Sequence, residues 1–102
     1  MDYQHIMENQ NINGDEKSCY VYVLGSISER GMRTYVGWTT DLERRLAEHN
    51  AGKGARSTRG REWRLIYSER AEDRSTAQSR EWRLKQDRAF RKALTQHIAI
   101  IA

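Results

Sequence analysis

CYVYVLGSISERGMRTYVGW, residues Cys19 to Trp38, holds two runs rich in valine and tyrosine around a polar connection, Ser26 to Arg33. The pattern predicts two antiparallel strands, Cys19 to Gly25 and Thr34 to Trp38. Side chains alternate along a strand, which puts Tyr20, Tyr22 and Leu24 on one face and Val21 and Val23 on the other. Tyr22 and Tyr35 stand out, because a plain hydrophobic strand has no need of a phenol.

Beyond the hairpin a helix opens at TTDLERRLAEHNAG, where Thr40 as N-cap and Glu43 three residues on have the spacing of a capping box. Gly52 is a suitable terminator. A glycine-rich basic loop, GKGARSTRGR, leads to a third strand, Trp63 to Glu69, whose alternation assigns Trp63, Leu65 and Tyr67 to one face. Ser75 with Gln78 opens a second helix running to about Gln86. Asp87 can cap a last helix on which Phe90, Leu94 and Ile98 recur every four residues. The expected fold class is α+β, a small three-stranded antiparallel sheet flanked by helices in the order ββαβαα. Residues 1–18 have no periodic apolar face and contain Asn13-Gly14, so they are expected to form a flexible tail ahead of a single domain over 19–102.

A chain of 102 residues holds one compact domain. Its single cysteine, Cys19, can form neither an internal disulfide nor a zinc cluster, which fits a reducing, cytoplasmic setting. No segment has the apolar length of a membrane span and the N-terminus lacks a signal-peptide layout, so no membrane association is expected. The formal charge is +4, but residues 1–18 carry four acids and one lysine, leaving 17 Lys/Arg against 10 Asp/Glu in the rest. That +7 balance favours a polyanionic partner.

On the first helix the stripe Leu42, Arg45, Leu46 and His49 places two water-preferring residues among leucines. Arginine at a stripe border can lay its methylenes on the core, and histidine in a last turn suits the helix end. The second helix repeats the anomaly with Glu81 on the stripe of Ala77 and Leu84, where a surface pair with Lys85 is the simple reading. Taken together, two tyrosines from a hairpin, a cation and an imidazole from one helix, and a carboxylate from the next can converge on one patch.

These residues, in this order, resemble the GIY-YIG nuclease domain over essentially all of Tyr20 to about Leu94. Tyr20-Val21-Tyr22 stands where the family writes Gly-Ile-Tyr, and Tyr35-Val36-Gly37 where it writes Tyr-Ile-Gly. Arg45 follows ten residues after the second motif tyrosine, His49 one turn later, and Glu81 takes the place of the family's metal-binding glutamate. HNAGKGARSTRG is similar to the stand-alone, single-domain bacterial members rather than to the long homing or excision-repair enzymes. Two departures are visible: the leading glycine is Tyr20, and no asparagine follows Glu81.

The resemblance implies an endonuclease that hydrolyses DNA phosphodiester bonds with Mg2+ or Mn2+, with single-stranded or structured DNA among its expected substrates. Tyr22, Tyr35, Arg45, His49 and Glu81 are the catalytic candidates, with Glu81 the sole protein carboxylate on the ion. Such a site suits an ion that keeps several waters. Arg45 can fork onto the scissile phosphate as a lysine could not. Tyr22, Tyr35 and His49 all remain open as the general base: a free phenol titrates near pH 10 and an imidazole near neutrality.

Lys53, Arg56, Arg59 and Arg61, followed by Arg64, form a basic loop whose glycines let the backbone approach phosphates, and they are the expected nucleic-acid contacts. Trp63, Trp82 and Phe90 are assigned to the core, and burial is also preferred for Trp38. The altered first motif and the absent asparagine define the alternative, a nucleic-acid-binding module of nuclease ancestry with weak or no catalysis.

Overall fold

A computed structural model describes residues 18–101, with side chains through residue 97. The N-terminal segment expected to be a tail, apart from Ser18, and the side chain of Ile98 lie outside the described residues. The elements are β1 (Cys19–Ser28), β2 (Gly31–Thr39), α1 (Leu42–Asn50), a 3-10 turn (Arg56–Thr58), β3 (Arg64–Ala71), α2 (Arg74–Gln86) and α3 (Arg88–Ile101). The α+β class and the order ββαβαα are as the sequence predicts.

One antiparallel sheet has the order β2-β1-β3, so the most apolar strand is central and covered on both faces. Val21, Val23 and Val36 pack with Ala77 and Leu84 of α2, and with Phe90 and Leu94 of α3, forming a valine face. Across the sheet, Tyr20, Tyr22 and Leu24 pack with Leu42 and Leu46 of α1 and with Trp63, forming a tyrosine face.

The hairpin is longer than its sequence suggests. Its turn is only Glu29-Arg30, and Gly31 carries the left-handed geometry at φ 99° while no other residue type among those described has positive φ. β3 pairs with β1 only as far as Gly25, so Ser26 to Ser28 and Gly31 to Arg33 project as a two-stranded ribbon. Its paired Ile27 and Met32 are exposed among serines, a glycine and an arginine, too few apolar residues for alternation to mark it.

Four further expectations need correction. Asp41, not Thr40, caps α1 by accepting from the Arg44 backbone at 3.1 Å, while the Thr39 hydroxyl takes the Asp41 backbone N–H. Asp73, not Ser75, caps α2 by accepting from the Thr76 N–H at 2.7 Å. Trp63, Leu65 and Tyr67 do not share a face: a bulge opposite Val23 and Leu24 breaks the alternation, sending Leu65 to the tyrosine face and Tyr67 to the valine face. There Tyr67 meets Phe90 edge-on, with centroids 5.0 Å apart. Trp82 is not in the core; it is 63% exposed on the outer side of α2. Three expectations hold: Asp87 accepts from the Phe90 N–H at 3.1 Å to cap α3, Trp63 is buried, and Phe90 is packed on the valine face. Trp38 is half-buried on that face, with the Arg74 guanidinium 5.4 Å from its ring centroid.

Candidate active site

The tyrosine face is organised by a buried polar chain. Tyr22, opposite Gly37 in the β1–β2 register, lays its ring across that glycine. A Cβ at residue 37 would stand 2.5 Å from the Tyr22 hydroxyl and 3.1 Å from the Tyr35 ring, so the position excludes every larger residue. The Tyr22 hydroxyl lies 2.9 Å from His49 Nε2, and His49 Nδ1 lies 2.9 Å from Thr58 Oγ1. Thr58 donates its only hydroxyl proton to the Ala55 carbonyl at 2.7 Å. It must therefore accept from Nδ1–H, which leaves Nε2 as acceptor and orients the Tyr22 proton toward it. Gly54 presses its backbone on the imidazole, where a Cβ would collide with Nδ1.

Three rings meet here. Tyr35 lies over His49 with centroids 4.8 Å apart, and Tyr22 and Tyr35 are 6.3 Å apart. His49 and Thr58 are fully buried, whereas Tyr35 is only half-buried. Burial pulls the imidazole below its usual pKa and the Arg45 charge lowers it further, with Glu48 opposing. Burial pushes the Tyr22 phenol up to about 12 against the pull of Arg45. In its resting state the chain is therefore neutral, a phenol on an imidazole.

Arg45 is half-buried at the rim and its Nη1 binds Glu48 Oε1 at 2.7 Å. That pairing raises the guanidinium and holds the Glu48 carboxyl below the usual range. Glu81 comes from α2, which covers the valine face, the side of the sheet away from Tyr22, and its charge makes only the weakest contribution to the rise at that phenol. Its side chain is 21% exposed and meets Lys85 at 3.5 Å, a loose one-turn pair. The five sequence candidates thus split into a trio of rings, two of them buried, with Arg45 beside Tyr22, and Glu81 on the helix that covers the other face of the sheet.

No group of three or more His, Cys, Asp or Glu side chains able to hold a metal occurs among the described residues. A lone, partly exposed carboxylate with a weak lysine partner suits a hard divalent ion that keeps most of its waters and takes substrate oxygens, not a closed zinc site.

The basic loop folds over the end of α1. Lys53, Arg56 and Arg59 are exposed, as is Arg64, while Arg61 is half-buried. Arg61 donates from Nε to Ser26 Oγ at 3.1 Å and from Nη2 to the Gly31 carbonyl at 2.5 Å, strapping the loop to the hairpin ribbon. Sequence reasoning missed Thr58 and Asn50. Asn50 binds the Trp63 backbone with both amide atoms, at 2.7 and 3.1 Å, and the Trp63 indole donates to the Thr58 carbonyl at 2.7 Å. Nothing in periodicity singles out one hydroxyl of a basic loop; only its burial against His49 does.

A family model described as the GIY-YIG catalytic domain matches residues 18–93. The chain belongs to the GIY-YIG family. A UPF0213 protein of Natronomonas pharaonis is 48% identical over 67 residues, covering 65% of this chain and 75% of that one. A UPF0213 protein of Halobacterium salinarum is 52% identical over 62 residues, 59% of this chain and 80% of its own. One from Yersinia pestis is 50% identical over 68 residues, 66% of this chain and 68% of its own. Alignments of that length spanning most of each relative mark them as short, stand-alone GIY-YIG proteins. No solved structure matches the chain with significance. Membership places the chain in a nuclease family, and no helix among the described residues is long and apolar enough to cross a membrane.

Proposed function

We propose that this chain is a divalent-metal-dependent endonuclease that hydrolyses DNA phosphodiester bonds, with single-stranded or structured DNA as preferred substrates. The observation that carries the reading is the Tyr22–His49–Thr58 hydrogen-bond chain, beside which the Arg45 guanidinium bears on the Tyr22 hydroxyl. Burying three polar side chains in line costs stability that an apolar trio would not, and a role in moving a proton accounts for it.

In this reading Tyr22 accepts a proton from the attacking water on its oxygen while its own proton passes to His49 Nε2. The water oxygen bonds to phosphorus and the bond to the leaving sugar oxygen breaks, that oxygen being protonated from solvent. Thr58 keeps Nδ1–H engaged, so Nε2 is the nitrogen that receives the proton. Burial and Arg45 disfavour the resulting imidazolium and return its proton after turnover. Arg45 exchanges Glu48 for the scissile phosphate and orients it through a forked contact. Glu81 would hold Mg2+ or Mn2+, which when bound supplies neutralisation of the phosphate oxygens. Lys53, Arg56 and Arg59 track the backbone, and Arg61 fixes the loop that carries them.

The test is incubation with circular single-stranded DNA and supercoiled duplex in Mg2+ or Mn2+, beside Glu81→Ala. Cutting by the natural chain and none by Glu81→Ala is expected; equal cutting by both, or no cutting of either substrate, sinks the reading. A second reading, a nucleic-acid-binding module with little catalysis, draws on the closed Arg45–Glu48 pair at 2.7 Å and the absent asparagine. It is distinguished by salt-sensitive binding without cleavage.

A further inference from the structure

Along the outer edge of β2, between that strand and α3, lies a cavity of about 260 Å3 that belongs to none of the groups above. Arg33 and Thr34 of β2 and Arg88, Arg91, Lys92 and Thr95 of α3 line it, and no carboxylate does. None of the ion pairs among the described residues engages any of these four cations. Arg91 is locked as its floor, donating from Nε to the Leu84 carbonyl at 3.1 Å and from Nη2 to the Lys85 carbonyl at 2.8 Å. Arg33, Arg88 and Lys92 are exposed.

Folding accounts for Arg91, which ties α3 to the end of α2, but not for the three exposed cations around it. Arg88 and Lys92 are one turn apart, where like charges destabilise a helix. Three cations also crowd the first five residues of α3, with the capping Asp87 the one acid at that helix start. A concave cluster of four cations with no carboxylate in its lining is complementary to a phosphate group, and Thr34 adds a hydroxyl, that of Thr95 being spent on the Lys92 carbonyl at 2.7 Å.

Its place on the strand says whose phosphate. Thr34 directly precedes Tyr35 and stands three residues before Gly37, roughly 3 to 10 Å along the edge at a strand's rise of about 3.3 Å per residue. Among the described residues β2 has no strand on its outer side. We propose that this pocket binds a backbone phosphate of the nucleic-acid strand, flanking the phosphate held at the tyrosine site. The inference rests on the endonuclease reading of that site. It adds an anchor on the far side of the edge strand, so the substrate lies along β2 from the ribbon toward Gly37.

The test is metal-free binding of a fluorescent single-stranded oligonucleotide of about 12 nucleotides, followed by anisotropy across a salt series. Arg88→Gln/Lys92→Gln changes two exposed side chains and spares Arg91. It is compared with a charge-matched control on exposed arginines elsewhere, Arg70→Gln/Arg83→Gln. The pocket variant is expected to bind about tenfold more weakly, with a salt slope shallower by roughly 0.7 for each phosphate it no longer neutralises, and the control to change far less. Equal effects in the two doubles, or no effect in either, overturn the proposal. Inorganic pyrophosphate is titrated in parallel. Competition with the oligonucleotide in the natural chain but not in Arg88→Gln/Lys92→Gln supports it; pyrophosphate filling the pocket without disturbing the oligonucleotide assigns the site to a free anion and overturns it. Binding requires no turnover, so a chain unable to cut DNA still reports on the pocket. Unchanged binding, with cleavage abolished only in Glu81→Ala, would remove the pocket and leave the endonuclease standing.

Discussion

The two faces of the sheet are built from the same central strand and bury comparable residues, yet they solve different problems. On the valine face Val21, Val23, Ala77 and Leu84 need only shape, and any well-packed apolar set would serve. On the tyrosine face each buried polar atom must meet a partner, so Tyr22, His49, Thr58, Gly37 and Gly54 form a set in which each member constrains the next. The first face holds the domain together. The second is specific, each member fixed by the others.

This contrast is open to attack in several ways. The largest effect expected is on the tyrosine face: Tyr22→Phe should lower the cleavage rate by about 10²- to 10⁴-fold, the usual worth of a positioned proton-transfer group. Its melting temperature should move much less, since the ring remains; activity close to that of the natural chain would remove Tyr22 from the chemistry. The mirror experiment is Leu84→Ala, at 1% exposure on the valine face, which should cost about 2–5 kcal/mol in denaturant unfolding. At a temperature where it stays folded, its rate per folded molecule should be unchanged.

A smaller effect is expected from Thr58→Val, which keeps the volume but leaves His49 Nδ1–H without its acceptor at a cost of about 1–3 kcal/mol. Its diagnostic is the pH profile of cleavage, which should shift because the imidazole tautomer is no longer fixed; an unshifted profile would reduce Thr58 to packing. The natural chain should also lose stability in mild acid. The folded imidazole has a lowered pKa, so the unfolded chain binds more protons below about 6.5, its ordinary value. Stability from this group is complete above that pH and is lost as pH falls toward the folded value. Melting temperatures between pH 8 and 5, compared with His49→Asn, should show a smaller acid loss in the variant. Least of all, Trp82→Ala should stay within about 0.5 kcal/mol, because the indole is exposed. A larger loss would restore the sequence-based placement of Trp82 in the core.

Much of the fold was legible because hydrophobic alternation and helical stripes are local. β1 and β2 read as strands from their alternation, and the three helices follow from stripes and from Asp87. The caps slipped by one or two residues because Thr39, Thr40 and Asp41, or Asp73 and Ser75, are all competent; where the strand ends decides which one is used. The bulge in β3 was invisible, since one inserted residue leaves composition unchanged while reversing which side chains face together. Trp82 was misplaced because helical spacing gives an angle but not whether anything lies opposite.

The candidate site divides along the same line. The order of Tyr22, Tyr35, Arg45, His49 and Glu81, with the glycines among them, was fixed in the chain itself, because those residue types at those intervals imply the family and its chemistry. The hydrogen-bond chain that gives His49 its tautomer, the recruitment of Thr58 and the cationic pocket on β2 were decided only in three dimensions. Each depends on residues distant in sequence meeting at hydrogen-bonding or Coulombic range, and no local pattern records such a distance.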